Sequence, residues 1–506
     1  MIRQNNFAIY YAGDAYSTAK KIMGRQNAGK AFMRGVARTW PQSTLHGIGS
    51  GAPAARSMLT QLKGDGFSGE LRWIEVPNWT ALSEVGTMYY PSPGAKNFAF
   101  SRNALNPASF SFMGVTFTLS SSGAMDQVAD LILPPFKPWD GMICISQAAL
   151  DFSTQIQAEM KAWWSAQTGA TRFNAPQMPV IPLGVDCPAF APQPGARQEA
   201  RTALNLKDSE TVFLFAGRLS FHAKANPAPM YQALEQAARQ TPVVCIEAGV
   251  FPNDDIRSGF LEAQQSLAPS VRFVWVDGRN EISYRQAWQG ADVFVSLSDN
   301  IQETFGLAPV EAMAAGLPVV VSDWDGYKDT VRNGIDGYRV PTVLPPDGAG
   351  GDLAVRHALG LDTYDFYIGR ASLATVVEPT ALAQAVVALA LDADKRRAMG
   401  AAGLARAREM FDWPVILGRY VELAEELGRI RAAAGVQSAE PWPTRADPFA
   451  RFAHFPTQTL AGHWQVHPQP DAAPRLRDLL GLAMANYAFD SALLPKEALV
   501  DLLTVL

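Results

Sequence analysis

Two glutamates, Glu303 and Glu311, flank the short run TFGLAPV in the stretch QETFGLAPVEAMAAGLPVV. Pro309 suits a first helical position, because its fixed φ is already helical and its missing N–H has no partner there. VEAMAA continues with good helix formers, Gly316 offers a left-handed cap, and Pro318 opens the apolar strand LPVVVS. This spacing predicts Glu311 in the first turn of a short helix and Glu303 in the loop before it. The amides of Gly306 to Ala308 then stand free at the helix entrance. A first-turn glutamate complements the helix dipole by about 0.3–1 kcal/mol, which accounts for Glu311 but not for Glu303. A capping box is a poor explanation, since the cap would be Ala308, which has no side-chain acceptor. A ligand carrying both phosphate and hydroxyl groups accounts for both acids. The helix N-terminus takes the anion, and the carboxylates accept strong hydrogen bonds from sugar hydroxyls.

More chemistry falls at the ends of apolar runs. Arg218 ends TVFLFAGR, Lys224 follows in LSFHAK, DGRNEIS follows VRFVWV, and Glu303 follows ADVFVSLSDNIQ. In open parallel sheets, ligands bind beyond the carboxyl ends of the strands. A lone cation after a strand is usually just solvated. Two cations, a helix N-terminus and two carboxylates at such ends point instead to one shared crevice.

The elements that must position these residues are legible as a pattern. From Thr211, short Val-, Ile- and Phe-rich runs (TVFLFAGR, PVVCIEAG, VRFVWVDG, ADVFVSLS, LPVVVSD) alternate with helical stretches such as NPAPMYQALEQAARQ and EISYRQAWQG. Continuous apolar strands between helices indicate parallel sheets covered on both faces. The first part is looser but similar, with FAIYY, LRWIEV, FMGVTFTL and GMICIS. The expected fold class is therefore α/β, with two doubly wound, Rossmann-like domains joined near PVIPLGVDCPAFAPQPGARQ. We assign residues 1–190 to the first and 191–412 to the second, with an insertion at about 343–379 too long for an ordinary connection. Residues 413–506 form a further helix and a helical extension, in which Pro and aromatic residues accumulate after Gly435.

Bulk properties set limits. The 506 residues carry a net charge of −5, with 48% hydrophobic and 18% charged residues, ordinary for a soluble globular protein and unlike a nucleic-acid binder. Cys144, Cys187 and Cys245 are far apart and odd in number, so they suggest neither a disulfide framework nor a zinc site. The N-terminus lacks an apolar signal core, and no apolar run reaches the roughly 20 residues that span a bilayer. A cytoplasmic protein is expected.

The motifs GRLSFHAK, ADVFVSLSDN, QETFGLAPVEAMAAGLPVVVSDWDGYKDTV and GIDGYRV resemble the donor-binding half of glycosyltransferase family 4, a retaining, nucleotide-sugar-dependent family with the GT-B fold. The likeness is strong over about residues 205–342, weaker in the N-terminal half (GVTFTLSSS, WDGMICISQ, IPLGVD), and absent after Gly435. It implies that Arg218 and Lys224 neutralise the diphosphate leaving group. Glu303 would contact the transferred sugar and Glu311 the ribose, with the backbone of Phe305, Gly306 and Leu307 under phosphates and sugar. Gly24, Gly217, Gly278 and Arg279 would complete the donor site, with the base held by loop backbone near Asp277–Glu281. It also implies retention of anomeric configuration, no metal or other cofactor, and a cleft that closes on binding. The acceptor would be a glycan, a lipid-linked molecule or another hydroxyl compound. One departure stands out: Phe117, in GVTFTLSS, occupies the place where relatives commonly carry a histidine. It keeps open a non-catalytic nucleotide-sugar-binding relative.

Four other patterns compete. Gly24 to Lys30 has the G-x4-G-K frame of a phosphate loop, but Ala31 replaces the magnesium-binding Ser or Thr. A glycine-rich first loop near the donor phosphates is the better reading. Six basic residues and no acid lie between Lys20 and Arg38, with Lys30, Arg34 and Arg38 at four-residue steps. They form either a solvated face or a peripheral contact with an anionic acceptor or membrane surface. Asp323 and Asp325, in DWD, could be the metal-binding D-x-D of the other main glycosyltransferase fold, although that fold needs neither a second doubly wound half nor the two glutamates. His463 and His467 lack an acidic or cysteine partner nearby. The resemblance also implies that the helix after residue 412 crosses back onto the first domain, and the tail after Ser438 extends that contact or makes a homodimer interface.

Overall fold

The computed structural model describes residues 4–16, 24–465, 467–486 and 495–505. Two compact units divide at Pro441/Trp442. The first contains two six-stranded sheets. One is built from β1 (Ala8–Tyr10), β2 (Leu45–Gly49), β3 (Leu71–Glu75), β4 (Thr87–Tyr89), β5 (Ser111–Val115) and β6 (Gly141–Ile143). The other is built from β7 (Thr211–Ala216), β8 (Val243–Gly249), β9 (Arg272–Asp277), β10 (Val293–Ser296), β11 (Val319–Ser322) and β12 (Gly337–Val340). The strand orders are β3-β2-β1-β4-β5-β6 and β12-β11-β10-β7-β8-β9. Every neighbouring pair is parallel, as in Thr211↔Val243 and Phe294↔Val319. Each sheet thus reverses direction once, between β1 and β4 and between β7 and β10, and these reversals make the crevices of doubly wound sheets. β7 and β8 are buried along their whole length, which explains their unbroken apolar character.

The sequence reading missed β2, β4 and β12. The first reads LHGIG, whose glycines weaken any strand signal. They are there for space: a Cβ on Gly47 would lie 2.7 Å from Met58 Sδ, and one on Gly49 2.9 Å from the Trp73 ring. β4 is only TMY.

After β12, the ladder Thr342↔Val377 and Val343↔Val376 is antiparallel. It closes off an excursion containing the helices Gly351–Ala358 and Tyr364–Leu373. Asp362, between them, is held by Arg356 at 2.9 Å and Arg370 at 3.2 Å.

The helix Trp413–Ala433 returns to the first sheet, packing on the helix Gly24–Thr39 and on β4 and β5. Trp413 is its anchor and is 1% exposed. A Cβ on either Gly35 or Gly184 would come within 2.3 Å of its indole, so both positions have no room for a side chain. Arg38 donates to both Asp186 and Asp412, and Val185 forms a parallel bridge with Asp412. Arg34 pairs with Asp65 at 3.2 Å. Two members of the basic series are therefore engaged with acids of the protein itself rather than left for an anionic surface. The G-x4-G-K frame is not a loop: Gly24 to Lys30 lie in the helix Gly24–Thr39. Gly29 is required by contact, since a Cβ there would lie 2.0 Å from Ala15 O.

The second unit, Trp442–Leu506, packs the helix Ala472–Gly481 against Lys496–Val505, with Leu480 and Val500 buried. His463 and His467 are exposed. Among the described residues, no helix is long and apolar enough to cross a membrane.

Candidate active site

The loops leaving β7 and β10, the two strands at the reversal of the second sheet, carry the charged residues. Gly217 follows β7 with φ +152°, close against the Lys224 stem, and its N–H binds Ala248 O at 3.0 Å. At the next two strand ends the backbones stack directly. A Cβ on Gly249 would lie 1.8 Å from Gly217 O, and one on Gly278 3.2 Å from the Gly249 Cα. Three strands therefore end in bare backbone on one side of the crevice.

The loop 217–226 is fastened to the end of β10 by three consecutive side chains. Ser298 Oγ donates to Lys224 O at 3.4 Å, Asp299 accepts from Asn226 N at 3.2 Å, and Asn300 Nδ2 donates to His222 O at 2.8 Å. These residues lie in SLSDN, a string with no chemical signature of its own. Their role emerges only when the two loops meet.

Lys224 Nζ bonds Glu303 Oε2, and Glu303 Oε1 accepts from the Gly306 N–H at 3.1 Å. Burial pushes the Glu303 carboxyl upward, but Lys224 and the loop amides outweigh it and hold it below the usual carboxylate range. Arg218 Nη2 donates to Ala223 O at 2.9 Å and to Gln302 Oε1 at 2.6 Å. Burial lowers the Arg218 pKa, while Glu303 opposes that shift.

Two details differ from the sequence reading. The helix begins at Leu307, with Gly306 as its cap at φ +86°, so Pro309 is its third residue and Glu311 lies past the first turn. Proline is equally at home there, because the first four amides of a helix have no partner within it. The Gly306 N–H is not free either, because Glu303 occupies it. Gly316 is left-handed as expected, at φ +75°.

Glu311 is half-buried, and burial pushes its carboxyl up to about 7, with Lys224 opposing the shift. It belongs to the same electrostatic cluster as Lys224. Arg279 does not: it is exposed and doubly bonded to Asp277, two residues earlier, at 2.7 and 2.9 Å. Gly24 starts a helix, and the loop before it lies outside the described residues. Ala28, one turn further on, lines the cleft.

Asp325, which the sequence offered only as half of D-x-D, stands beside Glu303 with left-handed backbone at φ +37° and both carboxyl oxygens buried. Burial, then the Glu303 charge, holds it well above the usual carboxylate range. Asp323 instead pairs with Arg339 at 3.3 Å. The two acids thus have separate surroundings.

The cleft at this site has Lys224, Glu303 and Phe305 on one wall and Phe117, Thr118 and Ile145 on the other. The walls touch where Thr304 Oγ1 donates to Phe117 O at 3.0 Å and Gln147 N to Asp329 Oδ2 at 2.6 Å.

The sequence model of the glycosyl transferases group 1 family matches residues 196–347. The D-inositol 3-phosphate glycosyltransferase of Mycobacterium marinum is 30% identical over 172 residues, 33% of this chain and 35% of that protein. The chain matches less than half the length of this and similar relatives. The phosphatidyl-myo-inositol mannosyltransferase of Mycobacterium tuberculosis is 26% identical over 72% of this chain and 80% of its own. HepE of Anabaena, solved with UDP, superposes with a TM-score of 0.53 at 16% identity, covering 83% of this chain and 99% of that one. A glycosyltransferase from Rickettsia africae gives 0.51 at 13% identity, over 84% and 99%. At such identities the solved structures establish the fold, the two-domain GT-B architecture.

Proposed function

We propose that this chain, whose residues 196–347 match the glycosyl transferases group 1 family on a GT-B fold, moves a sugar from a nucleotide-diphosphate sugar to a hydroxyl acceptor. The observation that carries the reading is the convergence of Arg218, Lys224 and Glu303 at the reversal of the second sheet, beside a cleft whose other wall belongs to the first domain.

In the reaction the bond between the anomeric carbon and the diphosphate oxygen breaks, and a bond from the acceptor oxygen forms. The acceptor proton passes to the departing diphosphate. Arg218 and Lys224 are fixed cations beside the charge that develops there. Preorganised donors of this kind contribute about 2.7–4 kcal/mol each in a dry site. Glu303 releases Lys224 to the diphosphate and turns to the sugar hydroxyls. Glu311 takes the ribose, with Phe305, Gly306 and Leu307 beneath the phosphates. The family resemblance implies that configuration is retained, and since no carboxylate is assigned as a covalent nucleophile, the acceptor attacks from the face the diphosphate leaves. These residues stabilise the leaving group without a metal ion, and chelator leaves the rate unchanged. The acceptor is a glycan or lipid-linked hydroxyl. The three buried, unpaired cysteines fit work in the reducing cytoplasm.

The test is Glu303→Ala, assayed for transfer and for hydrolysis of uridine, guanosine and adenosine diphosphate sugars. Both activities should fall at least about 100-fold. Phe117 at the cleft wall supports a second reading, a nucleotide-sugar-binding protein without turnover. Under that reading the wild-type protein is stabilised by a nucleotide sugar yet never consumes it.

A further inference from the structure

The excursion after β12 is mostly exposed: Leu359 is 69%, Phe366 61% and Leu373 79% accessible. One stripe of the helix Tyr364–Leu373 is not. Tyr364, Ile368 and Ser372, spaced four apart, fall on one face, and that face lies on the loops that build the site. Ser372 Oγ donates to Asp299 Oδ1 at 2.7 Å, Ile368 is fully buried, and neighbouring Gly369 packs close to His222, where a Cβ would lie 3.1 Å away.

Tyr364 ends this stripe at a junction of both domains. Its hydroxyl is 2.7 Å from Ser120 Oγ, in the loop that also carries Phe117, and 3.2 Å from Gln302 Nε2. Gln302 Oε1 in turn takes Arg218 Nη2 at 2.6 Å. The polarity of the chain is fixed as far as Tyr364. Arginine only donates, so the amide oxygen of Gln302 must face it and the amide NH2 must face Tyr364. The tyrosine oxygen accepts that bond, and between Tyr364 and Ser120 either hydroxyl can donate.

We propose that Tyr364 is a positioning residue: through Gln302 it aims Arg218 at the terminal phosphate of the donor, and through Ser120 it makes that aim depend on the first domain being in place. Without the hydroxyl, the Gln302 amide loses the bond that sets its orientation, and Arg218 keeps the Ala223 carbonyl but loses the firm hold of Gln302 on its fork. The inference rests on the donor-site reading above and adds a residue from outside the motifs that define it.

The test compares affinity for nucleoside diphosphates and the matching monophosphates (UDP/UMP, GDP/GMP, ADP/AMP) by calorimetry. The readout is the diphosphate-to-monophosphate preference, which loss of a merely structural contact would not change. In Tyr364→Phe the preference should fall roughly 10-fold while monophosphate affinity holds. Ser120→Ala should give a smaller fall in the same direction, and serves if the tyrosine variant folds poorly. In an Arg218→Ala background, Tyr364→Phe should change nothing further, because the two act as one unit. Tyr367→Phe, on the same helix, is the control and should match wild type. An unchanged preference in both Tyr364→Phe and Ser120→Ala overturns the inference, as does an equal loss of both affinities. A wild-type protein without any diphosphate preference overturns the donor-site reading itself, and this inference with it.

Discussion

At the scale of single residues, the site is a set of charges already partnered with one another. Lys224 is held by Glu303, and Glu303 by Lys224 and the Gly306 amide. A diphosphate entering the cleft exchanges these bonds for its own, so the site needs no large reorganisation to receive charge. Glu311 is the exception. Burial raises its pKa to about 7 from an ordinary 4.5, with Lys224 as the opposing charge. A raised carboxyl contributes stability that is complete below its unfolded value and is lost as pH rises through the folded one. The melting temperature of the empty protein should therefore decline more between pH 5 and pH 8 than that of Glu311→Gln. Ribose hydroxyls favour the ionised form, so nucleotide-sugar affinity should rise over pH 6–8 in wild type. In Glu311→Gln it should be flat and about 10-fold weaker at pH 8, as read by calorimetry.

Arg218, Lys224 and Glu303 were legible because charged residues right after apolar strands are conspicuous. Ser298, Asp299, Asn300 and Gln302 were not, since short polar residues look alike in a solvated loop and in a buried brace. Arg279 is instead paired with Asp277, only two residues away, and a local ion pair leaves no trace in strand-end logic.

At the scale of elements, backbone shape matters more than side-chain chemistry. Gly306 has φ +86°, and a Cβ there would lie 1.9 Å from Tyr327 Cε1. Tyr327 cannot withdraw easily, because it is fully buried and its hydroxyl is 2.9 Å from Ser296 Oγ. Gly306→Ala should therefore cost about 1–3 kcal/mol from backbone strain alone, with the clash in addition. A lower unfolding midpoint in urea together with lost nucleotide binding would show it. Ala308→Gly, in the same turn, should retain binding, because it removes a methyl group without forcing the backbone.

The same feature explains which elements could be read in advance. β7 and β8 announce themselves by continuous apolar residues. β2 hides because Trp73 and Met58 take the space its side chains would have filled. The helix Tyr364–Leu373 was foreseen only as part of an insertion. Its inward stripe pairs with loops far away in the chain, and no local period records that.

At the scale of the molecule, two doubly wound sheets follow from the alternation of apolar strands and helices. Their relative placement depends on contacts that are distant in sequence. Trp413 fills a space that Gly35 and Gly184 leave open, and it belongs to the segment that joins the second sheet back to the first. Trp413→Ala should cost about 3–5 kcal/mol. In chemical denaturation the two halves should unfold at more widely separated midpoints than in wild type, as they uncouple. Limited proteolysis near residue 412 should then become fast, whereas in wild type this segment is protected.

Among the described residues, the polypeptide passes from one half to the other near Val185–Asp186 and near Phe411–Asp412, and the guanidinium of Arg38 grips an acid in each passage. Both crossings are thus pinned at one post. The halves meet again at the cleft walls, where Thr304 holds Phe117 and Gln147 holds Asp329. A substrate that parts those two bonds leaves the post intact, so the rim can open while both strands of chain stay gathered at one point.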